Sequence, residues 1–404
     1  VNTNRIGCDS SYRWVIAALV TTSFFMTFIS RFAWPPLVPV VAPVLNIGLT
    51  EAMAYMTAFY IGYVVMQIPG GILADRFGPR LVLAISVAIQ GAGTIGIGFI
   101  ESYTAGFVLR ILCGLAAGCV FSSCIKAVVT WFSPAQRGVA MGFVMTAPAM
   151  GLAAPNFIMP VLNDFFGWQG AFRLVGTLII VFAAAIAVFM KDKKISVSGP
   201  RKNFLTGLKF VLSNRNTLLI AFAGLGIVWS QIGFASVANP YMTEYLDLCL
   251  VGAGRLMMVY GLIGIPVAAL TGYISTGNIS KKKTMIIASY CLTAVLLIIF
   301  GRLDSYVGVF VVICVLGILI PCASALASIL LADSAGPEWA ATAGGVGNCI
   351  FQIGALLSPL LIGIVRDTAG HHTWTWGILA AGAVFGIFFA MLVSASSHPS
   401  EETN

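Results

Sequence analysis

Three cations stand inside stretches that otherwise read as membrane: Arg31, Arg110 and Lys126. A charge at the centre of a spanning helix costs about 3 kcal/mol on insertion scales, so each needs a partner or a task. Arg31 falls in "FISRFAWPPL", residues 28–37, with an uncharged run from Trp14 behind it and apolar character resuming through Val41. Arginine stays protonated and presents a planar fork of N–H groups that fits carboxylate or phosphate oxygens. At 1.5 Å per residue, Arg31 lies roughly 27 Å along its helix from Arg13, and Arg110 roughly 9 Å below the outer end of a helix running the other way. Both therefore belong to the outer half, at similar depth. Two guanidinium groups facing one cavity repel when it is empty, and an anion bridging them relieves that. The bland alternative is snorkelling to the interface or pairing with a resident acid. No acid lies within a span; Glu51 and Asp333 fall just beyond span ends. Lys126, about 24 Å further in than Arg110, reads as a cytoplasmic gate or interfacial anchor.

Other polar side chains on central helices complete a candidate pocket: Tyr60 and Tyr63, then Gln231, Asn348 and Gln352, with Trp229 and Tyr241 available to stack on a ring. Each taken singly is interhelical glue as readily as a ligand contact. As a set they suit a hydroxylated or carbonyl-bearing acid.

The elements that must position these groups follow from hydropathy. Of 404 residues, 59% are apolar and 9% charged, against about 45–50% and 25% in soluble domains. Apolar runs of spanning length fall at 14–41, 52–74, 81–100, 104–127, 139–162, 169–190, 216–240, 252–274, 284–301, 306–332, 342–365 and 374–394, an all-α membrane protein of twelve transmembrane helices. The basic stretch 191–215, broken by Ser-Gly-Pro, divides the chain into a six-helix bundle over 1–190 and another over 216–404, with a cytoplasmic linker between. With both termini cytoplasmic, fifteen Lys and Arg fall in inner segments and four in outer ones, a strong positive-inside bias. The net charge of +8 is thus a matter of orientation in a lipid bilayer and points to no nucleic acid. "GGILADRFGPR" after span two is echoed by "GYISTGNISKKK" about 201 residues later, and Pro155 by Pro359, the pattern of parallel repeats with a substrate site between them.

No chemistry of bond-making suggests itself. The nine cysteines are scattered without a CxxC pair and read as small hydrophobes. His371, His372 and His398 lie outside the spans, and Ser122 and Ser123 have no histidine or acid near them in sequence. An enzyme, a cofactor and a bound metal are not expected. The first apolar run is too long for a cleavable signal peptide.

The chain resembles the major facilitator superfamily along its whole length. Gly71-x-x-x-Asp75-Arg76-x-Gly78-x-Arg80 is similar to the superfamily's loop between the second and third helices. The resemblance implies that Asp75 pairs with a basic group and holds the cytoplasmic side closed, with Arg137 at the start of span five the expected partner. "QIPGGILADRFG", "LRILCG" and "VVTWFSPAQRG" resemble the anion:cation symporters, which include hexonate and organic-anion carriers. That group implies substrate binding by Arg31 and Arg110 and a substrate-facing Tyr63. Where hexonate carriers have an acid before the first arginine this chain has Ser30, where they have a glutamate two turns past the second it has Ala117, and Pro148 replaces a glutamine. Gly142, Gly151 and Pro155 keep the spacing of the superfamily's antiporter signature, but Ala154 replaces its next glycine, which speaks against a drug–proton antiporter. The expectation is a monomeric secondary transporter of the cell membrane moving a small organic anion, in particular a carboxylate, by alternating access. Proton- or cation-coupled import, an uncoupled facilitator or anion exchanger, and an exporter of amphipathic compounds all stay open.

Overall fold

The computed structural model describes residues 6–192, 204–274, 279–369 and 373–394, and every regular element among them is helical. In chain order these are α1 (Ile6–Phe32), a 3-10 turn (Pro35–Leu37), α2 (Val38–Val44), α3 (Leu49–Phe77), α4 (Pro79–Ile97), α5 (Tyr103–Gly118), α6 (Val120–Trp131), α7 (Pro134–Val144) and α8 (Ala147–Phe189). Then follow α9 (Phe204–Ser213), α10 (Arg215–Tyr245), α11 (Leu250–Ile274), α12 (Ile279–Phe300), α13 (Tyr306–Ala369) and α14 (Thr373–Leu392).

Eleven stretches of the described residues are long and apolar enough to cross a bilayer. One of them, Gln136–Phe189, is 54 residues long. At 1.5 Å per residue it is about 80 Å of helix, more than twice a hydrocarbon core of about 30 Å. It is broken at Gly167, whose φ of 68° and ψ of 168° are not helical. Divided there, the eleven stretches supply the twelve rods expected from hydropathy. Gly336 (φ 72°, ψ 168°) breaks α13 in the same way, and Gly78 (φ 86°, ψ 152°) stands between α3 and α4. This corner of backbone space is essentially reserved for glycine, so one residue reverses the chain between two spans without a loop.

Contacts divide the chain into two compact units, Val1–Ser198 with Ala235–Ile265, and Gly199–Phe234 with Pro266–Asn404. The first contains the whole of the expected N-terminal bundle and also the hairpin formed by the end of α10 and the start of α11. Residues 193–203 of the expected linker lie outside the described residues; 204–213 form α9, which packs on α13 within the second unit. In the first unit α3 packs on α5 and α4 on α8. The α3–α5 seam is close because it is glycine to backbone: a Cβ on Gly114 would stand 2.0 Å from the Phe59 carbonyl oxygen, and one on Gly62 2.3 Å from that of Ile111. This approach brings Arg110 of α5 within reach of α3 and of the end of α1. In the second unit α12 packs on α13 and α14.

Candidate functional site

Arg31 is not a mid-helix residue. It is the last but one residue of α1, which ends at Phe32, and the cause is two prolines. An α-helical carbonyl is bonded by the N–H four residues on; for Arg31 that residue is Pro35, which has none. The Arg31 carbonyl is therefore left over in the middle of the membrane, where no water can take its place.

Arg110 supplies the missing donors. Its Nη2 donates to the Arg31 carbonyl at 2.9 Å and its Nη1 to the Ser30 carbonyl at 2.9 Å. Nε donates to the Tyr55 carbonyl of α3 at 3.3 Å, and Nη2 also meets Met56 Sδ at 3.3 Å. All three nitrogens are engaged, the side chain is 2% exposed, and its positive charge sits against the negative end of the α1 dipole. Hydrogen bonds from a charged donor contribute about 1.5–3 kcal/mol each, enough together to offset the burial. Snorkelling is ruled out by this geometry. So is the expected arrangement in which both arginines point their forks at one anion: Arg110 is committed to the end of α1 because Pro35 leaves that end short of donors.

Arg31 is as deeply buried, at 3%, but its surroundings are aromatic. Its guanidinium carbon lies 4.6 Å from the Phe28 ring centroid, 5.0 Å from Phe59, 5.1 Å from Tyr60 and 4.6 Å from Tyr63. Phe28 precedes it by one turn of α1, and Phe59, Tyr60 and Tyr63 lie on adjacent turns of α3. Cation–π contacts are worth up to about 2 kcal/mol when desolvated, so the charge is supported. Its donors are not: Nε and Nη2 are buried with no hydrogen-bond partner, and so is the Tyr60 hydroxyl. Leaving a buried donor unbonded costs about 1–3 kcal/mol. Nε–H and Nη2–H are parallel and form one edge of the guanidinium, the edge that grips a carboxylate with two bonds. Among the described residues neither arginine forms an ion pair with an acid.

Behind Arg31 the α1–α4 seam is polar and neutral. Ser30 Oγ shares a hydrogen bond with Thr94 Oγ1 at 3.0 Å. The Gln90 amide donates to Thr27 Oγ1 at 3.3 Å and to the Ser86 carbonyl at 3.2 Å. Ala117, at the other position of interest, is fully buried.

Of the remaining expected contacts, Gln231 is half-buried on α10, and Asn348 and Gln352 lie one turn apart on α13, where the Gln352 amide donates to Asn348 Oδ1 at 3.3 Å. All three belong to the second unit, and Arg31, Arg110, Tyr60 and Tyr63 to the first. The Trp229 indole is tied to the Ile378 carbonyl at 3.0 Å, and Tyr241 stacks on Tyr245.

At the inner end of the first unit, Asp75 pairs with Lys126 at 3.0 Å, and the same ammonium donates to the Ala74 carbonyl at 2.8 Å. The expected Asp75–Arg137 pair is replaced: Arg137 donates to the Phe132 and Val129 carbonyls at the end of α6, because the Ser133–Pro134 turn holds it over that end. Arg76 rests on the ring of its neighbour Phe77. Arg80 Nε and Nη2 donate to the Ala187 carbonyl near the end of α8, while Asp192 Oδ1 accepts the Arg80 backbone N–H at 3.1 Å. Each helix end thus receives a cap from the other. A Cβ on Gly78 would stand 2.7 Å from Asp192 Oδ2, but one on Gly71 would meet only ordinary contact with Ser122. The tight approach beside it is at Gly70, where a Cβ would lie 2.6 Å from Cys119 Cα.

The model of the Major Facilitator Superfamily matches residues 20–359 of this chain. The chain belongs to that superfamily. It is a multi-pass membrane protein of a family of transporters. It is 23% identical to the "Probable sulfoacetate transporter SauU" of Cupriavidus necator, over 95% of both chains. It is 26% identical to the "Probable galactarate/D-glucarate transporter GudP" of Bacillus subtilis, over 86% of this chain and 85% of that one. The "Hexuronate transporter" of the same organism is 21% identical, over 91% and 90%. Among solved structures, a bacterial homologue of the human lysosomal transporter Spinster superposes with a TM-score of 0.78 at 14% identity, over 95% of this chain and 97% of that chain. That likeness concerns the fold alone.

Three features of the site were not anticipated from the sequence: the cage rings Phe28 and Phe59, the Arg110 clamp, and the Asp192 cap. The clamp had a signal, since a proline four residues after Arg31 strands its carbonyl.

Proposed function

We propose that this member of the superfamily carries a small organic anion, a carboxylate above all, across a cell membrane by alternating access, with both termini cytoplasmic. The observation that supports it is the open edge of Arg31: two parallel buried donors without partners, held in an aromatic cage on the last turn of α1. A buried edge of this kind is completed by an oxyanion, and Tyr60 has a hydroxyl to add. The relatives' names, which speak of sulfoacetate, sugar diacids and hexuronate, agree with the class. Arg110 acts on the cargo indirectly, by holding the Ser30 and Arg31 carbonyls and so the angle at which the Arg31 side chain leaves the helix. Lys126 and Asp75, with Arg80 and Asp192, fasten the inner helix ends of the first unit. Gln231, Asn348 and Gln352 are retained as contacts for the uncharged part of the cargo.

Proton- or cation-coupled import is the expectation from the resemblance. A second reading, an uncoupled facilitator or exchanger, is favoured by one observation: beside Arg31 stands Ser30, bonded to Thr94, with no carboxylate to take up and release a proton. Uptake into proteoliposomes separates these. Acid uptake that vanishes in Arg31→Gln supports the anion reading, and uptake undiminished in that variant removes it. A pH-sensitive dye inside the vesicles reports coupling, because an uncoupled carrier of an ionised acid moves no protons.

A further inference from the structure

The spans carry three cations, and the structure gives each a different degree of freedom. Lys126 is held by Asp75 and the Ala74 carbonyl. Arg110 has its three nitrogens on three carbonyls, with the end of the α1 dipole set against its charge. Only Arg31 has donors to offer, and they are Nε, Nη2 and, beside them, the Tyr60 hydroxyl. Three donors on one edge serve a single oxyanion group. The walls around that edge are Phe28, Phe59, Tyr60 and Tyr63, with no second cation among them.

Resting on the reading of Arg31 as the anion contact, we propose that the cargo is a monoanion, with one carboxylate or sulfonate and an otherwise uncharged body, and that the dianion of the same skeleton is selected against. A second ionised carboxylate carried into the spans finds no free cationic donor, and a charge taken out of water unpaired is penalised heavily. The relatives do not settle the matter: galactarate and glucarate carry two carboxylates and a hexuronate one, and the names cover both. Counting unspent cations decides for one.

The test uses the full chain in detergent and in proteoliposomes, with acids matched in skeleton and differing in one terminal carboxylate: galactonate against galactarate, gluconate against glucarate, butyrate against succinate. Binding is read by thermal shift and transport by uptake, at a pH where every carboxyl is ionised. The expected result is that in each responding pair the monoanion binds at least about tenfold more tightly, as an unpaired buried charge dictates. If the dianion binds as well or better, and both are lost in Arg31→Gln, the monoanion proposal is overturned while Arg31 stands as the anion contact. If no acid of any pair binds, or if binding is the same in Arg31→Gln, the anion reading itself falls and this proposal with it.

Discussion

Two arginines lie at the same level of the first unit, equally hidden from solvent, and their surroundings could hardly differ more. Around Arg110 there are three backbone carbonyls and every nitrogen has a partner. Around Arg31 there are four aromatic rings, and two nitrogens have none. Residue type and depth are the same, so neither assigns a role; the partners do. Arg110 completes a helix end that two prolines left short of donors, a structural task. Arg31 is left incomplete, and an incomplete buried charge is what a binding site looks like before its ligand arrives.

The sharpest way to break this contrast is to remove each guanidinium in turn. Arg31→Gln is expected to lower uptake at least about 100-fold, since a charged two-bond contact is worth several kcal/mol, while leaving the melting temperature unchanged or raised. Arg110→Gln is expected to do the reverse in stability: three carbonyls lose a charged donor, for a loss of about 2–4 kcal/mol, read as a fall in melting temperature by thermal denaturation in detergent. Should both variants melt alike, the division between binder and clamp is wrong.

A second experiment sharpens the reason for the clamp. Pro35→Ala restores an N–H facing the Arg31 carbonyl, so the double variant Pro35→Ala/Arg110→Gln should be more stable than the two single effects predict. The expected coupling is about 0.5–3 kcal/mol, the range for residues sharing one hydrogen-bond network. Strict additivity in that cycle would mean that the stranded carbonyl is not what Arg110 serves.

Tyr60→Phe is gentler. It deletes one unbonded hydroxyl, so stability should hold while the KM for the cargo rises about 2–10-fold, the worth of one hydrogen bond. An unchanged KM would take Tyr60 out of the contact set.

The smallest effect is expected at the inner ends. Asp75 and Lys126 are 70% and 30% exposed, and pairs so placed contribute about 0–1 kcal/mol. Asp75→Asn should barely move the melting temperature, and any large loss of transport in that variant would reflect the rate of conformational change. The second unit has a pair of opposite polarity at its inner end, where Lys282 on α12 meets Asp333 on α13 at 2.5 Å.

Much of this was legible in the residues. Twelve spans, their orientation and the importance of Arg31 follow from hydropathy and from the cost of a membrane charge. The one-residue reversals at Gly78, Gly167 and Gly336 were not, because a run of apolar residues carries no mark of where backbone with positive φ falls. The partner of Asp75 was misjudged for a related reason. Lys126 and Arg137 are both near in sequence terms, and only the turn at Ser133–Pro134 decides which one faces the acid. Arg110 was taken for a second anion contact because sequence shows a charge and its depth, and says nothing of whether its donors are already spent.

The central claim is that one open guanidinium edge, on Arg31, holds the cargo. Equilibrium binding of a transported acid to the purified protein, wild type beside Arg31→Lys, tests it most directly, because lysine keeps the charge and lacks the two-bond edge. The account predicts a loss of affinity of about tenfold or more in the lysine variant, with folding intact. Affinity preserved in that variant would show that charge alone suffices, and the reading of the unpaired Nε and Nη2 as the cargo's seat would be contradicted.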